Sequence, residues 1–252
     1  MSLLKKIHPE QPLKELRWFD IGIVTLIMFG QFIVRSTQMY LASLSPSLST
    51  AVSETATNTA SEGAAYSSNF TLQIILLALA IIYLWIRHFD FKQLPIRLKW
   101  SVLFWVPFFF AIMGLFADMV STLSGQYNYF SPQVLAFISP MAVIDKFMAL
   151  SPMAIAYGLL NGFYEEFFFL GLLTSVKDKY KWLVLLFSTI VRVSFHTYQG
   201  MLWALVIGVV FGLLYYFLYK YKVKNLLPFF LVHALADMFG SSLIYLLVNW
   251  NY

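Results

Sequence analysis

The sequence contains no cysteine and little charge: of its 252 residues, only 12% are charged. The absence of cysteine excludes disulfides, thiolate catalysis and cysteine-ligated metal sites, while the redox compartment stays undetermined. The hydrophobic content of 60% and the aromatic content of 19% exceed what a soluble domain needs for one core. We therefore predict an all-α, multi-pass integral membrane protein, a polytopic transmembrane helical bundle in one membrane domain over residues 1–252. In a bacterium it would lie in the plasma membrane.

Long apolar runs divide the chain. Seven segments reach or approach the roughly 20 residues that a helix needs to cross the hydrocarbon core. They predict spans at residues 18–41, 70–86, 100–123, 151–176, 182–196, 201–219 and 226–248. Between the first two, residues 43–69 are rich in Ser, Thr and Ala and predict a flexible outer loop. Residues 130–149 contain two prolines and a charged pair, which favours a re-entrant or interfacial helix over an eighth span.

Basic residues are scarce in every second loop. They concentrate instead at residues 5–17, 87–99, 177–181 and 220–224. Because lysine and arginine collect on the cytoplasmic side of membrane helices, this pattern predicts an internal N-terminus and an external C-terminus. Topology thus explains the formal net charge of +5, and we expect membrane lipid rather than nucleic acid as a partner.

Ionisable side chains within the predicted spans concentrate on three of them. Each costs about 2.5 to 3.5 kcal/mol to place at mid-membrane, so each needs a partner, a wet cavity or a function. Counted at about 1.5 Å per residue from the basic inner ends, Glu165, His196 and Asp237 lie about 18, about 22 and about 19 Å deep. His233 comes out shallower, at about 13 Å. The similar depths favour a functional site over independent packing positions.

Helical rotation groups these residues further. Residues four apart share a helix face, so His233 and Asp237 are expected to point together, and so are Arg192 and His196. The adjacent acids Glu165 and Glu166 are about 100° apart and cannot aim along one line. We expect one of the two to act and the other to support it.

The buried acids outnumber the buried arginine at this depth, a charge balance that a low dielectric disfavours. A divalent cation such as zinc, held by Glu165, His196 and His233, would neutralise the excess with suitable ligand types. Protonation of one or two acids would do the same and would allow general acid or base catalysis. The sequence leaves a metal-dependent and a metal-independent mechanism open. A structural ion pair of Arg192 with one of the acids is a further alternative.

These residues resemble the motifs of the CPBP family of intramembrane proteases, also called Abi proteins. That family includes CAAX prenyl endopeptidases and bacteriocin-processing or immunity proteins. It carries E-E-x-x-x-R, then F-x-x-x-H, then H-x-x-x-N or H-x-x-x-D, on three transmembrane helices. The matching residues are Glu165, Glu166, His196, His233 and Asp237. The resemblance covers residues 150–240, which we interpret as the catalytic core.

Two positions depart from the family pattern. Leu170 stands where the first motif has arginine, and Arg192 stands at the aromatic position of the second. If Arg192 faces Glu165 and Glu166, it restores the guanidinium that Leu170 removes. This swap is a hypothesis motivated by one missing and one extra arginine.

The resemblance implies hydrolysis of a peptide bond by water activated between Glu165 and His196. It assigns His233 and Asp237 to stabilising the oxyanion or positioning the water. The family is usually placed among metalloendopeptidases, although no H-E-x-x-H zinc motif is present here. The expected substrate is a membrane-associated peptide: a CAAX-type tail, a bacteriocin leader or a signalling peptide.

Two other functions stay open at the level of sequence. Loss of the family arginine at Leu170 fits a catalytically impaired immunity or regulatory scaffold. A proton-coupled transporter could use the same buried acids and histidines, although no internal repeat supports that function.

Overall fold

The structure is a computed structural model that describes residues 11–45 and 62–249. Apart from three single 3₁₀ turns, these residues form ten helices and no β-sheet. The helices are α1 Trp18–Ser43, α2 Glu62–Ile86, α3 Ser101–Leu123, α4 Pro132–Leu135, α5 Met141–Ala149, α6 Pro152–Leu172, α7 Lys181–His196, α8 Met201–Val223, α9 Leu227–Phe239 and α10 Leu243–Leu247. The prediction of an all-α protein is confirmed.

Four of the described helices, α1, α2, α3 and α8, are long and apolar enough to cross a membrane. A fifth crossing results if α5 and α6, bent by 99° at the break between them, count as one broken span. Large apolar side chains such as Leu26, Trp85 and Leu103 are exposed on these helices, as contact with lipid requires. The chain is thus an integral, multi-pass membrane protein, while the count of seven spans and their orientation stay predictions.

Two boundaries differ from those expected. Helix α2 begins at Glu62 rather than at residue 70, so the last part of the expected outer loop is helical. Residues 46–61 of that loop lie outside the described residues. The stretch 130–149 contains two short helices, α4 and α5, where one was expected, and their re-entrant or interfacial placement stays a prediction.

The prediction of one continuous helix over residues 226–248 is wrong. The helix stops at Phe239, and Gly240 takes a positive φ of 78° before α10 begins. A left-handed residue ends an α-helix, and glycine adopts that conformation without steric cost. Hydrophobicity continues past the break, which is why the sequence concealed it.

A buried aspartate fastens the start of α10. Asp118 on α3 accepts hydrogen bonds from the Ser242 hydroxyl and, at 2.9 Å, from the backbone N–H of Ile244. The Ser242 hydroxyl in turn accepts from the N–H of Tyr245 at 2.9 Å. These bonds satisfy the N–H groups that a helix leaves without partners in its first turn.

The described chain divides into two compact units. Of the described residues, the first unit comprises those up to Ile96 together with Tyr164–Leu226, and the second comprises Arg97–Phe163 together with those from Leu227 onward. In the first unit α1 packs against α2 and α7, and α7 packs against α8. In the second unit α3 packs against α9 and α10, and α5 packs against α10.

Glycine permits the close approach of α7 and α8 in the first unit. A Cβ at Gly208 would lie 2.8 Å from the backbone nitrogen of Val193 and 2.4 Å from its Cγ2. Gly212, one helical turn further, faces the Arg192 side chain. The G-x-x-x-G pair of α8 therefore serves packing within the unit.

A buried ion pair joins α1 and α2 in the same unit. Nε of Arg87 donates to Oδ1 of Asp20 at 2.6 Å, and the Tyr83 hydroxyl donates to the same oxygen at 2.7 Å. Oδ2 of Asp20 also accepts the backbone N–H of Arg17 at 3.1 Å. Since both charged groups are buried, the pair holds the two helices in one register.

Candidate active site

Glu166 and Arg192 form a buried bidentate ion pair in the first unit. The two terminal nitrogens of Arg192 donate to Oε1 and Oε2 of Glu166, each at 2.9 Å. Glu166 is 0% exposed and Arg192 is 3% exposed. The Arg192 guanidinium carbon also lies 4.1 Å from the centre of the Phe169 ring, a cation–π contact. A planar guanidinium matches a carboxylate in this geometry, which a lysine could not reproduce.

The backbone changes its winding directly after Glu166. Residues Phe167–Leu172 form a π-helical turn at the end of α6, and single π turns recur at functional sites. Leu170, at the position of the family arginine, is 2% exposed and lies in this turn. The guanidinium that pairs with Glu166 thus comes from α7 and not from position 170.

His196, one helical turn after Arg192, is oriented by the backbone of its own helix. Its Nδ1 lies 2.8 Å from the carbonyl oxygen of Arg192. A carbonyl oxygen only accepts hydrogen bonds, so Nδ1 carries a proton. The neutral ring then has its lone pair on Nε2, the nitrogen that can take a proton from water or bind a cation.

Helix α1 contacts both motif helices of the first unit. At one end, the Ser36 hydroxyl lies 2.9 Å from Oγ1 of Thr197 and accepts the N–H of Tyr198 at 2.9 Å. The turn that follows His196 is thereby fixed to α1. At another level, the Tyr164 hydroxyl donates to the carbonyl of Met28.

Aromatic packing around Phe29 of α1 surrounds the same region. The ring centroids of Phe168, Phe169 and Phe195 lie 4.7, 5.1 and 4.9 Å from that of Phe29. Two of these rings follow the double glutamate on α6, and Phe195 directly precedes His196. These rings form an apolar, low-dielectric environment near the ion pair, in which electrostatic interactions are stronger than in water.

Glu165 is itself buried, at 4% exposure. Its neighbour Glu166 has both carboxylate oxygens engaged by Arg192. The expected division between one acting and one supporting acid therefore favours Glu165 as the acting residue.

In the second unit, His233 and Asp237 share one face of α9 as their spacing predicts. Nε2 of His233 lies 3.8 Å from Oδ1 of Asp237. Oδ2 of Asp237 accepts a hydrogen bond from the Asn161 side chain at 2.9 Å. Sequence reasoning missed Asn161, although a buried amide within an apolar helix, four residues before Glu165, was a signal for it.

A glycine pair seats α9 against the first part of α6. A Cβ at Gly162 would lie 2.4 Å from the carbonyl oxygen of Phe230 and 2.8 Å from the nitrogen of Ala234. At Gly158 it would lie 3.0 Å from Cγ of Met238. At Gly162 only glycine allows this approach, which fixes the depth at which α9 presents its His233 and Asp237 face. This G-x-x-x-G pattern was also missed in the sequence.

Comparison with known families covers the same part of the chain. Residues 147–239 match the family model described as Type II CAAX prenyl endopeptidase Rce1-like. The family resemblance is confirmed. This Rce1-like segment contains every motif position named above, while α1 to α4 precede it and the matched part is less than half of the chain. No curated protein and no solved structure matches the chain.

Within the Rce1-like segment, the donor types of the first unit suit a divalent cation. Glu165 and His196 carry a carboxylate and an imidazole, and the carbonyl contact at Nδ1 is the outer contact that metal-binding histidines commonly have. That the two side chains bind one ion stays a prediction. Arg192 already supplies one positive charge to Glu166. The ion pair neutralises Glu166, and the excess of acids over arginine stays as the sequence indicated, because that count already included Arg192.

Proposed function

We propose that this protein is an intramembrane endopeptidase that hydrolyses a peptide bond in a membrane-associated peptide, with a CAAX-type prenylated tail as the first candidate. The observation that carries the proposal is the buried Glu166–Arg192 pair beside the buried Glu165, within the Rce1-like segment. Burying this many ionisable groups is costly. A reaction that needs them explains the cost better than packing does.

Water activation is assigned to Glu165 and His196. Glu165 acts as the general base that takes a proton from the attacking water and then delivers it to the leaving amine, while His196 orients that water. The neutral tautomer of His196 supports this role, because its Nε2 can accept a hydrogen bond from the water. Glu166 and Arg192 hold α6 and α7 in register, so that the two reacting side chains keep their separation.

Stabilisation of the reacting carbonyl is assigned to His233. Asp237 orients its imidazole, and Asn161 in turn holds the carboxylate of Asp237. A protonated imidazole placed where negative charge develops lowers the barrier of acyl transfer. The i,i+4 arrangement on α9 supports this role by placing the ring 3.8 Å from the carboxylate of its partner.

No step of this proposal runs through a metal ion. A divalent cation such as zinc, held by Glu165 and His196, would polarise the substrate carbonyl and acidify bound water. Metal analysis of the purified wild-type protein and of Glu165→Gln measures this directly: one equivalent in the first and a clear loss in the second indicate a metal enzyme.

The deciding experiment compares wild type with Glu165→Gln, reconstituted in liposomes, on a farnesylated CAAX peptide and on the same peptide without the prenyl group. We expect cleavage of the farnesylated peptide by wild type and a loss of at least about a hundredfold in Glu165→Gln. Glu15→Gln, at an exposed position before α1, is the control and should keep full activity. Equal cleavage by wild type and Glu165→Gln would overturn the proposal.

The substrate is identified by mass spectrometry of membrane peptides from cells that express wild type or Glu165→Ala. Peptides that accumulate only in the variant are candidate substrates. If only bacteriocin leaders or signalling peptides accumulate, the endopeptidase proposal stands and the CAAX assignment is replaced.

A second candidate function is a non-catalytic immunity or regulatory scaffold. It is favoured by Leu170, a buried apolar residue where the family motif carries arginine. A scaffold keeps its cellular phenotype in Glu165→Ala, whereas an enzyme loses it. The two functions therefore give opposite results with one variant.

A further inference from the structure

The first unit contains a basic cavity that the endopeptidase proposal does not use. It has a volume of about 770 Å³ and lies where the segment before α1 meets the turn after α6. Ligand pockets commonly range from roughly 300 to 1,000 Å³. Three basic residues line the cavity, Lys14, Arg17 and Lys177, against a single acid, Glu15.

Backbone hydrogen bonds build the walls of this cavity. The segment before α1 is fixed on one side, where the N–H of Leu13 donates to the carbonyl of His88 at 2.8 Å. It is fixed on the other side, where the N–H of Leu16 donates to the carbonyl of Ser175 at 2.7 Å. Since both anchors are main-chain bonds, the cavity keeps its shape when the exposed basic side chains are changed.

The cationic side chains are presented from two different segments. Lys14 and Arg17 come from the segment before α1, and Lys177 comes from the turn after α6. All three are exposed, which allows them to turn toward one ligand. The nearby Lys181 is instead paired with Asp178 at 3.1 Å and does not line the cavity.

The cavity lies at the N-terminal end of the first membrane helix. The first membrane helix begins at Trp18, which lines the cavity and packs edge-to-face against Tyr180 with ring centroids 6.0 Å apart. Tryptophan and tyrosine favour the level of the lipid headgroups. Ile21 and Val184 add apolar surface on the side that leads into the membrane helices.

We propose that this cavity binds the phosphate headgroup of an anionic glycerophospholipid. Lys14, Arg17 and Lys177 bind the phosphate, and Trp18 with the adjoining apolar side chains contacts the glycerol and the first carbons of the acyl chains. Basic pockets beside membrane helices recognise such headgroups through this combination of charge and amphipathic surface. A free phosphate ion would bind to the basic side chains but would make no favourable contact with the apolar side chains.

The site goes beyond the endopeptidase function and does not depend on it. It would affect the affinity of the protein for anionic lipids in the membrane. Lipid binding and cleavage are therefore measured separately. Lipid binding is measured in Glu165→Gln, which is expected to lack cleavage. Cleavage is measured in wild type in membranes of phosphatidylcholine alone, which contain no anionic lipid.

The test measures lipid binding by native mass spectrometry of the protein from nanodiscs of phosphatidylcholine with added phosphatidylglycerol. The variant carries Lys14→Gln, Arg17→Gln and Lys177→Gln. We expect its affinity for phosphatidylglycerol to fall about tenfold or more, with no change for phosphatidylcholine. The matched control carries Lys92→Gln, Lys220→Gln and Lys222→Gln, which remove the same charge from the same unit, and it should bind like wild type.

Two outcomes overturn the proposal. An equal loss in variant and control would show general attraction between a basic surface and anionic lipid. Displacement of the lipid by millimolar inorganic phosphate would show a site for the free ion. If the triple variant unfolds at a lower temperature than wild type, each single substitution is measured instead, and failure of all three to weaken binding also overturns it.

Discussion

Arg192 and Glu166 lie 26 residues apart in the chain, and two parallel hydrogen bonds of 2.9 Å join them in the first unit. The pair brings a guanidinium to the double glutamate from α7, whereas the family motif carries its arginine on α6 itself. Since the pair is fully buried, its removal has consequences for both stability and activity.

Arg192→Leu is expected to abolish cleavage and to lower the free energy of unfolding by about 3 to 5 kcal/mol, because it leaves the buried Glu166 carboxylate without its counterion. Thermal unfolding in detergent and peptide cleavage measure the two effects. The double variant Arg192→Met with Glu166→Met should regain most of the stability, since two apolar side chains replace a buried pair, and it should stay inactive.

The origin of the guanidinium is tested by a swap. Leu170→Arg combined with Arg192→Phe restores the family pattern at both positions and should recover part of the activity that Arg192→Leu loses. Unchanged cleavage in Arg192→Leu alone would contradict the idea that Arg192 replaces the family arginine.

Asn161→Ala is expected to reduce kcat about 10- to 100-fold with little change in KM. The substitution removes a hydrogen bond to the Asp237 carboxylate, and such a bond to a charged group is worth about 1.5 to 3 kcal/mol. Steady-state kinetics on the cleaved peptide measure the effect. Asn128→Ala, in an exposed loop of the same unit, should behave like wild type, and an equal fall in both variants would remove Asn161 from the site.

Ser36→Ala tests whether α1 positions His196. The loss of the Ser36 hydroxyl leaves the N–H of Tyr198 and the hydroxyl of Thr197 without this partner, so the turn after His196 loosens. We expect kcat to fall about tenfold, in line with a net contribution of about 0.5 to 1.5 kcal/mol per hydrogen bond, while the KM for the peptide stays the same.

The matched control is Ser43→Ala, on the same helix, whose hydroxyl bonds to the carbonyl of Tyr40 and is exposed. It should retain wild-type kinetics. A kcat for Ser36→Ala equal to that of Ser43→Ala would leave Ser36 with a packing role alone.

Gly162→Ala is expected to destabilise the second unit by roughly 1 to 3 kcal/mol, because the new methyl group overlaps the carbonyl oxygen of Phe230. Gly22→Ala on α1 is the control: open space surrounds that position, so the better helix former should add up to about 1 kcal/mol. Unfolding of both variants is followed by circular dichroism. Equal stability of the two variants would mean that α9 does not depend on the close approach.

Local patterns in the sequence were sufficient to predict the helical fold and the motif residues. The apolar runs predicted α1 and α3 nearly to the residue, since a span needs a fixed length of apolar helix. The spacing of His233 and Asp237 predicted that they share a face, because that relationship is set by the helix itself. The motif residues were identified for the same reason: they lie within short stretches of chain.

Tertiary structure decided which distant groups meet. The pairing of Arg192 with Glu166 depends on how α7 is rotated against α6, which no local spacing encodes. The contacts of Ser36 with the turn after His196 and of Asn161 with Asp237 join residues that are far apart in the chain. The break at Gly240 was hidden for a related reason: hydropathy indicates whether a segment is buried in an apolar environment, but it does not indicate where the backbone changes direction. Composition and spacing therefore determined which helices carry the acids and imidazoles, and only packing between helices, which fixes rotation and depth, decided the partner of each.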